Sequence, residues 1–243
     1  MVPLRDYTDF VVDQRRSVKS KKSKEMKPRC ETAMMLESQI QQDRTMSLGL
    51  TDAAKRDRLE SIIGDLMTEL GLDLTDQHLE GTPARVARLY RELMRGSRVD
   101  PTKILKTFDS KHSELIVVSQ INFYSLCPHH LLIYRGKMHF GYVPDGKIVG
   151  LSKIPRLIQA LASRPIVQED LVSEIADTFM SVVKPLGCVA RATGRHDCVA
   201  VRGVKCHEAR MTTVALRGVF RETPALVEQF HHLLTKVDGE PTR

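Results

Sequence analysis

A chain of 243 residues with 42% hydrophobic side chains can fill one large or two small cores, which excludes a wholly disordered protein. Its 37 Lys and Arg against 30 Asp and Glu give a formal charge of +7, so a polyanionic partner is allowed, whether nucleic acid, acidic membrane or nucleoside triphosphate. No run of about 18 apolar residues exists, and the first ten residues carry Asp6 and Asp9 instead of an apolar signal core, so the expectation is a soluble, cytoplasmic protein with no membrane partner.

Most of the excess charge comes early, in Arg15, Arg16, Lys19, Lys21, Lys22, Lys24, Lys27 and Arg29. That stretch has no apolar period, and it reads as a disordered basic arm over 1–50, a solvated tail in preference to a nucleic-acid contact. A domain is expected over 51–243, helical from 51 to 110. In its first helix Leu59, Ile62, Ile63, Leu66, Met67 and Leu70 recur at helical spacing before a stop at Gly71. A second begins with Thr82 as N-cap and Pro83 at the first helical position, burying Val86, Leu89, Tyr90, Leu93 and Met94 and exposing Arg85 and Arg88.

From Glu114 the period turns to that of strands, over Glu114 to Tyr124 and Lys137 to Val143, the latter ending at Pro144-Asp145-Gly146. Helices follow over Ile154 to Ala162 and Val167 to Val183, closed by Pro185 and Gly187; strands are expected over Cys188 to Thr193, Cys198 to Val204 and Thr212 to Phe220. The order strand, strand, helix, helix, strand, strand gives an α+β fold with an antiparallel sheet covered on one face. Such a sheet leaves edges that association with further copies would protect.

The five cysteines, Cys30, Cys127, Cys188, Cys198 and Cys206, are odd in number and irregular in spacing, so reduced thiols are expected, some of them metal-bound. Cys127-Pro128-His129-His130 stands where one strand ends, and His196-Asp197-Cys198 where another begins. Thiolate and imidazole are the preferred zinc donors, and a Cys-x-x-His turn converges both. In an extended His-x-Cys segment the residues two apart share a face. Cys127, His130 and Cys198 are thus candidate zinc ligands with a fourth position free, and His129 and His196 candidate proton carriers beside it. Spacing alone leaves open the alternative that these are buried cysteines without metal.

Gly150-Leu151-Ser152-Lys153-Ile154-Pro155-Arg156 enters a helix with a hydroxyl and two cations at its N-terminus, which suits phosphate as well as it suits a plain cap. Gln168-Glu169 offers an amide and a carboxylate that can read a guanine edge, or simply opens a helix.

Together these segments closely resemble the GTP cyclohydrolase I family: Thr82-Pro83 with Arg85, the Cys127 cluster, Gly150 to Lys153, Arg164-Pro165 to Gln168-Glu169, and His196-x-Cys198 to Arg202-Gly203, in that family's order. The resemblance covers roughly Thr51 to Phe230. It implies the tunnelling fold over 111–230, a toroidal homodecamer, zinc on Cys127, His130 and Cys198, and catalytic imidazoles at His129 and His196. It also implies triphosphate contacts at Ser152, Lys153, Arg156 and Arg202, with Arg85 and Arg88 from a neighbouring subunit, and guanine reading by Gln168 and Glu169. The implied reaction opens the imidazole ring of GTP, releases formate and rebuilds 7,8-dihydroneopterin triphosphate, the first step toward tetrahydrofolate and other pterins.

Two places depart from the family's pattern: Pro128 stands where many members have glutamate, and Arg210-Met211 where small hydroxyl residues are common. Two other readings stay open, a divergent cyclohydrolase making a different pterin or deazapurine precursor, and a non-catalytic zinc-stabilised binding module.

Overall fold

Two helices open the described part of the chain, which in this computed structural model comprises residues 52–238, with side chains described over 58–235. The basic arm expected over 1–50 lies outside those residues. Two units are distinguished, one ending at Arg91 and the other beginning at Glu92.

In the first unit, α1 (Asp52–Glu69) stops where expected. Gly71 takes φ +75°, its N–H donates to Thr68 at 2.8 Å and that of Leu72 to Met67 at 3.0 Å, a pair of bonds that closes a helix on a left-handed residue. The apolar period is split. Ile63 and Met67 are buried, while Ile62, Leu66 and Leu70 are at least half exposed on the adjoining stripe. The start of α2 (Thr82–Leu93) is shifted from expectation: Gly81, at φ +70°, flanks it, and the Thr82 hydroxyl accepts from Arg85 at 2.6 Å instead of capping. Ala87 is fully buried, whereas Leu89, expected inside, is exposed; so is Met94, just past the helix.

In the second unit four strands form one antiparallel sheet in the order β2-β3-β5-β6, where β2 is Ile116–Leu126, β3 Ile133–Val143, β5 Gly187–His196 and β6 Met211–Gly218. Helices α3 (Lys153–Ala162) and α4 (Gln168–Val183) cover one face, as expected. Strand alternation sends Ile121, Phe123, Met138, Phe140, Ala190, Ala192 and Ala215 toward them, to meet Leu157, Ile158, Leu171, Ile175 and Phe179. The Phe179 ring lies 4.7 Å from Phe140 and 5.0 Å from Tyr142. On the opposite face Phe230, from the C-terminal helix α7 (Pro224–Asp238), packs over Gly141, where a Cβ would come within 3.0 Å of its ring.

Several expectations are corrected. Strand β3 begins four residues earlier than Lys137, because Ile133 to Gly136 continue the ladder opposite Leu126 to Phe123. A small sheet of β1 (Thr107–Asp109) and β4 (Lys147–Val149) was not anticipated. The left-handed stop of α4 is Lys184, at φ +56°, not Gly187, which starts β5. The strand expected over Cys198 to Val204 is absent: Asp197–Ala200 is a helical turn, α5, and β5 pairs directly with β6, so no ladder position is left for it. Strand β6 ends at Gly218, where a Cβ would sit 2.1 Å from the Leu186 carbonyl oxygen, and the turn α6 (Val219–Glu222) follows.

Candidate active site

The loop between β2 and β3 carries the Cys127 cluster. Two N–H groups, of Leu131 at 2.8 Å and His130 at 3.4 Å, donate to the Cys127 carbonyl, and Leu131 takes φ +53° to close the turn. This winds His129 and His130 back over the cysteine: their Nδ1 atoms lie 3.8 and 3.9 Å from Cys127 Sγ. Across the sheet, β5 ends at His196 and the turn α5 brings Cys198 to the same place. One donor atom each from Cys127, His130 and Cys198 lie within 4.8 Å of one another. The shared face argued for an extended His-x-Cys segment is therefore not how Cys198 arrives; a helical turn delivers it. Burial, and next the neighbouring Cys127, push the Cys198 thiol above its ordinary pKa.

A pocket of about 170 Å³ opens beside this group, lined among others by His129, Tyr134, Glu169, His196 and Met211. Tyr134 stacks on His196 with ring centroids 4.6 Å apart and planes 5° off parallel. The Tyr134 hydroxyl donates to the Ile166 carbonyl at 2.9 Å, and burial pushes its pKa up to about 12. Burial also lowers the pKa of His196, against the opposing pull of Glu169 and Asp197.

Gln168, expected to read guanine together with Glu169, also lines this pocket. Its side chain is fully buried. Nε2 donates to the carbonyls of Met211 at 3.1 Å and Ala192 at 3.3 Å and to the Thr213 hydroxyl at 3.0 Å, while Oε1 faces His196 Nε2 at 3.1 Å. The amide nitrogen is thus committed within the fold. Gly194 makes the arrangement possible, since a Cβ there would lie 2.4 Å from Oε1. Glu169, one residue on, lines the same pocket.

The remaining expected contacts are distributed. Arg202 approaches His130 Nε2 at 2.6 Å. Ser152, Lys153 and Arg156 stand at the start of α3, outside the residues that line this pocket; the Ser152 hydroxyl makes no capping bond and is exposed. Arg85 and Arg88 are exposed on α2, in the other unit. Sequence reading missed Tyr134, Gly194 and Met211. Only Tyr134 had a signal, since extending the β3 alternation back from Met138 puts it on the His196 face.

A sheet ending in two thiols and an imidazole that could hold a metal ion, with further imidazoles and a carboxylate alongside, defines a class of α+β protein equipped for metal-assisted chemistry on a small ligand. The comparisons with known proteins narrow it. The family model described as GTP cyclohydrolase I matches residues 59–235. Over 171 residues, 69% of this chain, identity is 44% to GTP cyclohydrolase 1 of Mycolicibacterium paratuberculosis and 45% to that of Mycobacterium leprae, covering 84% and 83% of those proteins. Among solved structures, an archaeosine synthase QueF-Like in its apo form matches with a TM-score of 0.37 and 16% identity, over 44% of this chain and 97% of that one. The chain belongs to the GTP cyclohydrolase I family, hydrolases that act on cyclic amidines.

Proposed function

We propose that this protein opens the imidazole ring of GTP by zinc-dependent hydrolysis, releases formate and forms 7,8-dihydroneopterin triphosphate, the entry compound of tetrahydrofolate and pterin synthesis. The observation that carries the proposal is the convergence of Cys127, His130 and Cys198 within 4.8 Å at the mouth of a pocket that also holds His129, His196 and Glu169. Thiol and imidazole donors in that number fit a zinc site with one position left for a ligand. When bound, zinc would supply Lewis-acid chemistry that makes water nucleophilic near neutral pH.

The chain's own residues do the rest. His129 and His196 carry protons to and from the nitrogens of the opening ring. Glu169 accepts from the N–H edge of guanine, beside Gln168, which lines the same pocket and whose oxygen faces His196. Ser152, Lys153, Arg156 and Arg202 hold the triphosphate, joined by Arg85 and Arg88 of a neighbouring subunit in a homo-oligomer, a decamer on the family's pattern. Were His130 to hold the metal through Nδ1, its ring proton would sit on Nε2 and face the Arg202 donor, so Arg202 would be released to another acceptor, for which a phosphate oxygen is suited. A cytoplasmic setting suits the free thiols Cys127, Cys188, Cys198 and Cys206. Among the described residues no helix is long and apolar enough to cross a membrane.

The test is purified protein with GTP and zinc, assayed for formate and for the pterin together. Equimolar formation of both is expected. Formate without the pterin would assign a cyclohydrolase with another product, and neither product would end the proposal.

A further inference from the structure

The sheet's second face carries helix α7 at its Gly141 end. Because side chains alternate, the residues next to His196 and Tyr134 in sequence point away from the metal pocket, to this other face. They are Arg195 and Arg135, followed two residues along each strand by Thr193 and Lys137 and then by Arg191 and His139. The register sets Arg135 directly opposite Arg195, Lys137 opposite Thr193, and His139 opposite Arg191. Flanking strands place Tyr124 beside Arg135, Asn122 beside Lys137 and Thr212 beside Thr193.

None of the four strands contains an Asp or Glu. Among the described residues no ion pair involves Arg135, Lys137, Arg191 or Arg195. The Arg195 Nε is buried and lacks a hydrogen-bond partner. Like charges set directly across a strand pair destabilise a sheet, and a buried guanidinium N–H without an acceptor adds to the cost. A bound anion relieves the first directly, and the second once the Arg195 guanidinium turns outward to meet it.

We propose that this face binds a small polyphosphate anion, gripped by Arg135, Lys137, Arg191 and Arg195, at a site separate from the metal pocket. Guanidinium forks match phosphate oxygens in pairs, and the Asn122 amide and the Tyr124 and Thr212 hydroxyls can add donors around them. The dimensions favour a small ligand. The array spans one strand spacing, about 5 Å, by four residues, about 13 Å. It is closed at one end by His139, buried with the Gln120 N–H directed at its Nδ1 at 3.4 Å, and by Phe230 over Gly141. A strip this short fits a chain of roughly three or four phosphates, whereas a nucleic-acid strand needs a groove that tracks its backbone over several nucleotides.

The experiment uses full-length, zinc-loaded protein and inorganic triphosphate as the calorimetric probe, near physiological ionic strength. Lys153→Ala/Arg156→Ala/Arg202→Ala with Arg85→Ala and Arg88→Ala is the background, so that every cation proposed to hold the GTP triphosphate is removed and the second site is read. Binding is expected to persist there and to weaken by roughly tenfold or more when Arg135→Gln and Arg195→Gln are added. In an otherwise wild-type chain, Arg135→Gln/Arg195→Gln should keep GTP turnover and keep or raise the melting temperature without ligand, which separates a lost site from a lost fold. Competition by ATP as effective as by unlabelled triphosphate would identify a nucleotide source, and none a free polyphosphate; either supports the site. No binding in the background protein, or equal binding with and without the arginines, overturns it. So does a single-stranded 20-mer oligonucleotide that binds more tightly than triphosphate and is lost with the same two arginines, which would assign the face to nucleic acid.

Discussion

Gln168 fixes the direction of His196. With two N–H groups directed at three internal acceptors, the amide cannot turn over, so its oxygen faces Nε2 of the imidazole. Gln168→Leu should therefore lower kcat for GTP by about tenfold to a hundredfold, within the range general acid–base groups supply, while zinc content and KM stay near wild type. A raised KM at unchanged kcat would return Gln168 to guanine reading. Cys127→Ala, by contrast, should abolish zinc retention measured by elemental analysis, because one of three donors is lost. The donor residues were legible in the sequence because their chemistry is local: Cys-x-x-His and His-x-Cys announce themselves by type and spacing. The support beneath them was not, since Gln168 meets His196, Met211 and Thr213 across 28 to 45 residues of sequence and depends on a missing Cβ at Gly194.

Helix α4 is the element that ties core and site together. Its Phe179 fills the space against Phe140 and Tyr142 and is completely buried, so Phe179→Ala should destabilise the fold by about 3–5 kcal/mol in chemical denaturation. On the same helix Asp177 pairs with Arg217 of β6 at 2.6 Å. The hydrogen bonds from Arg217 hold the Asp177 carboxyl below its ordinary value of 3.8. A depressed carboxylate stabilises the fold above its unfolded pKa, and that contribution is lost as pH falls through the folded one. Asp177→Asn should thus cost about 0.5 kcal/mol near neutrality, discounted for the exposed carboxylate, and the difference from wild type should vanish below pH 3.8. The long elements were readable from periodicity, since β2, β3, α3 and α4 each hold enough turns or alternations to show their period. The three-residue strands β1 and β4 hold too few. Residues 198–204 carry Val199, Val201 and Val204, which read as a strand; all three are exposed, with the backbone satisfied locally by bonds such as Val201 N–H to Asp197 at 3.0 Å.

For the whole molecule the decisive feature is that the four-stranded sheet does not close. Among the described residues β6, and β2 apart from its Leu126–Pro165 bridge, present unpaired edges, and an open cleft of about 400 Å³ runs along β6, lined by Glu169, Thr213, Val214, Leu216, Arg217 and Arg221. Glu169 lines both this cleft and the pocket beside Cys127 and Cys198, so whatever pairs with β6 borders the proposed guanine subsite. A further copy is the partner that fits an exposed strand edge. The described residues of one chain supply all three candidate metal donors; if the proposed neighbour borders the pocket through Glu169, assembly and turnover should fall together while zinc stays. Val214 is 47% exposed on β6, and Val214→Asp places a charge where a second chain would dock. Sedimentation should show wild type as a multiple of the chain mass and the variant as a smaller species, with GTP turnover lost and one zinc per chain retained. Removal of residues 1–50 should leave both assembly and turnover intact, because the family match begins only at residue 59. A dissociated Val214→Asp protein that still turned over GTP at the wild-type rate would show that one chain completes the site alone.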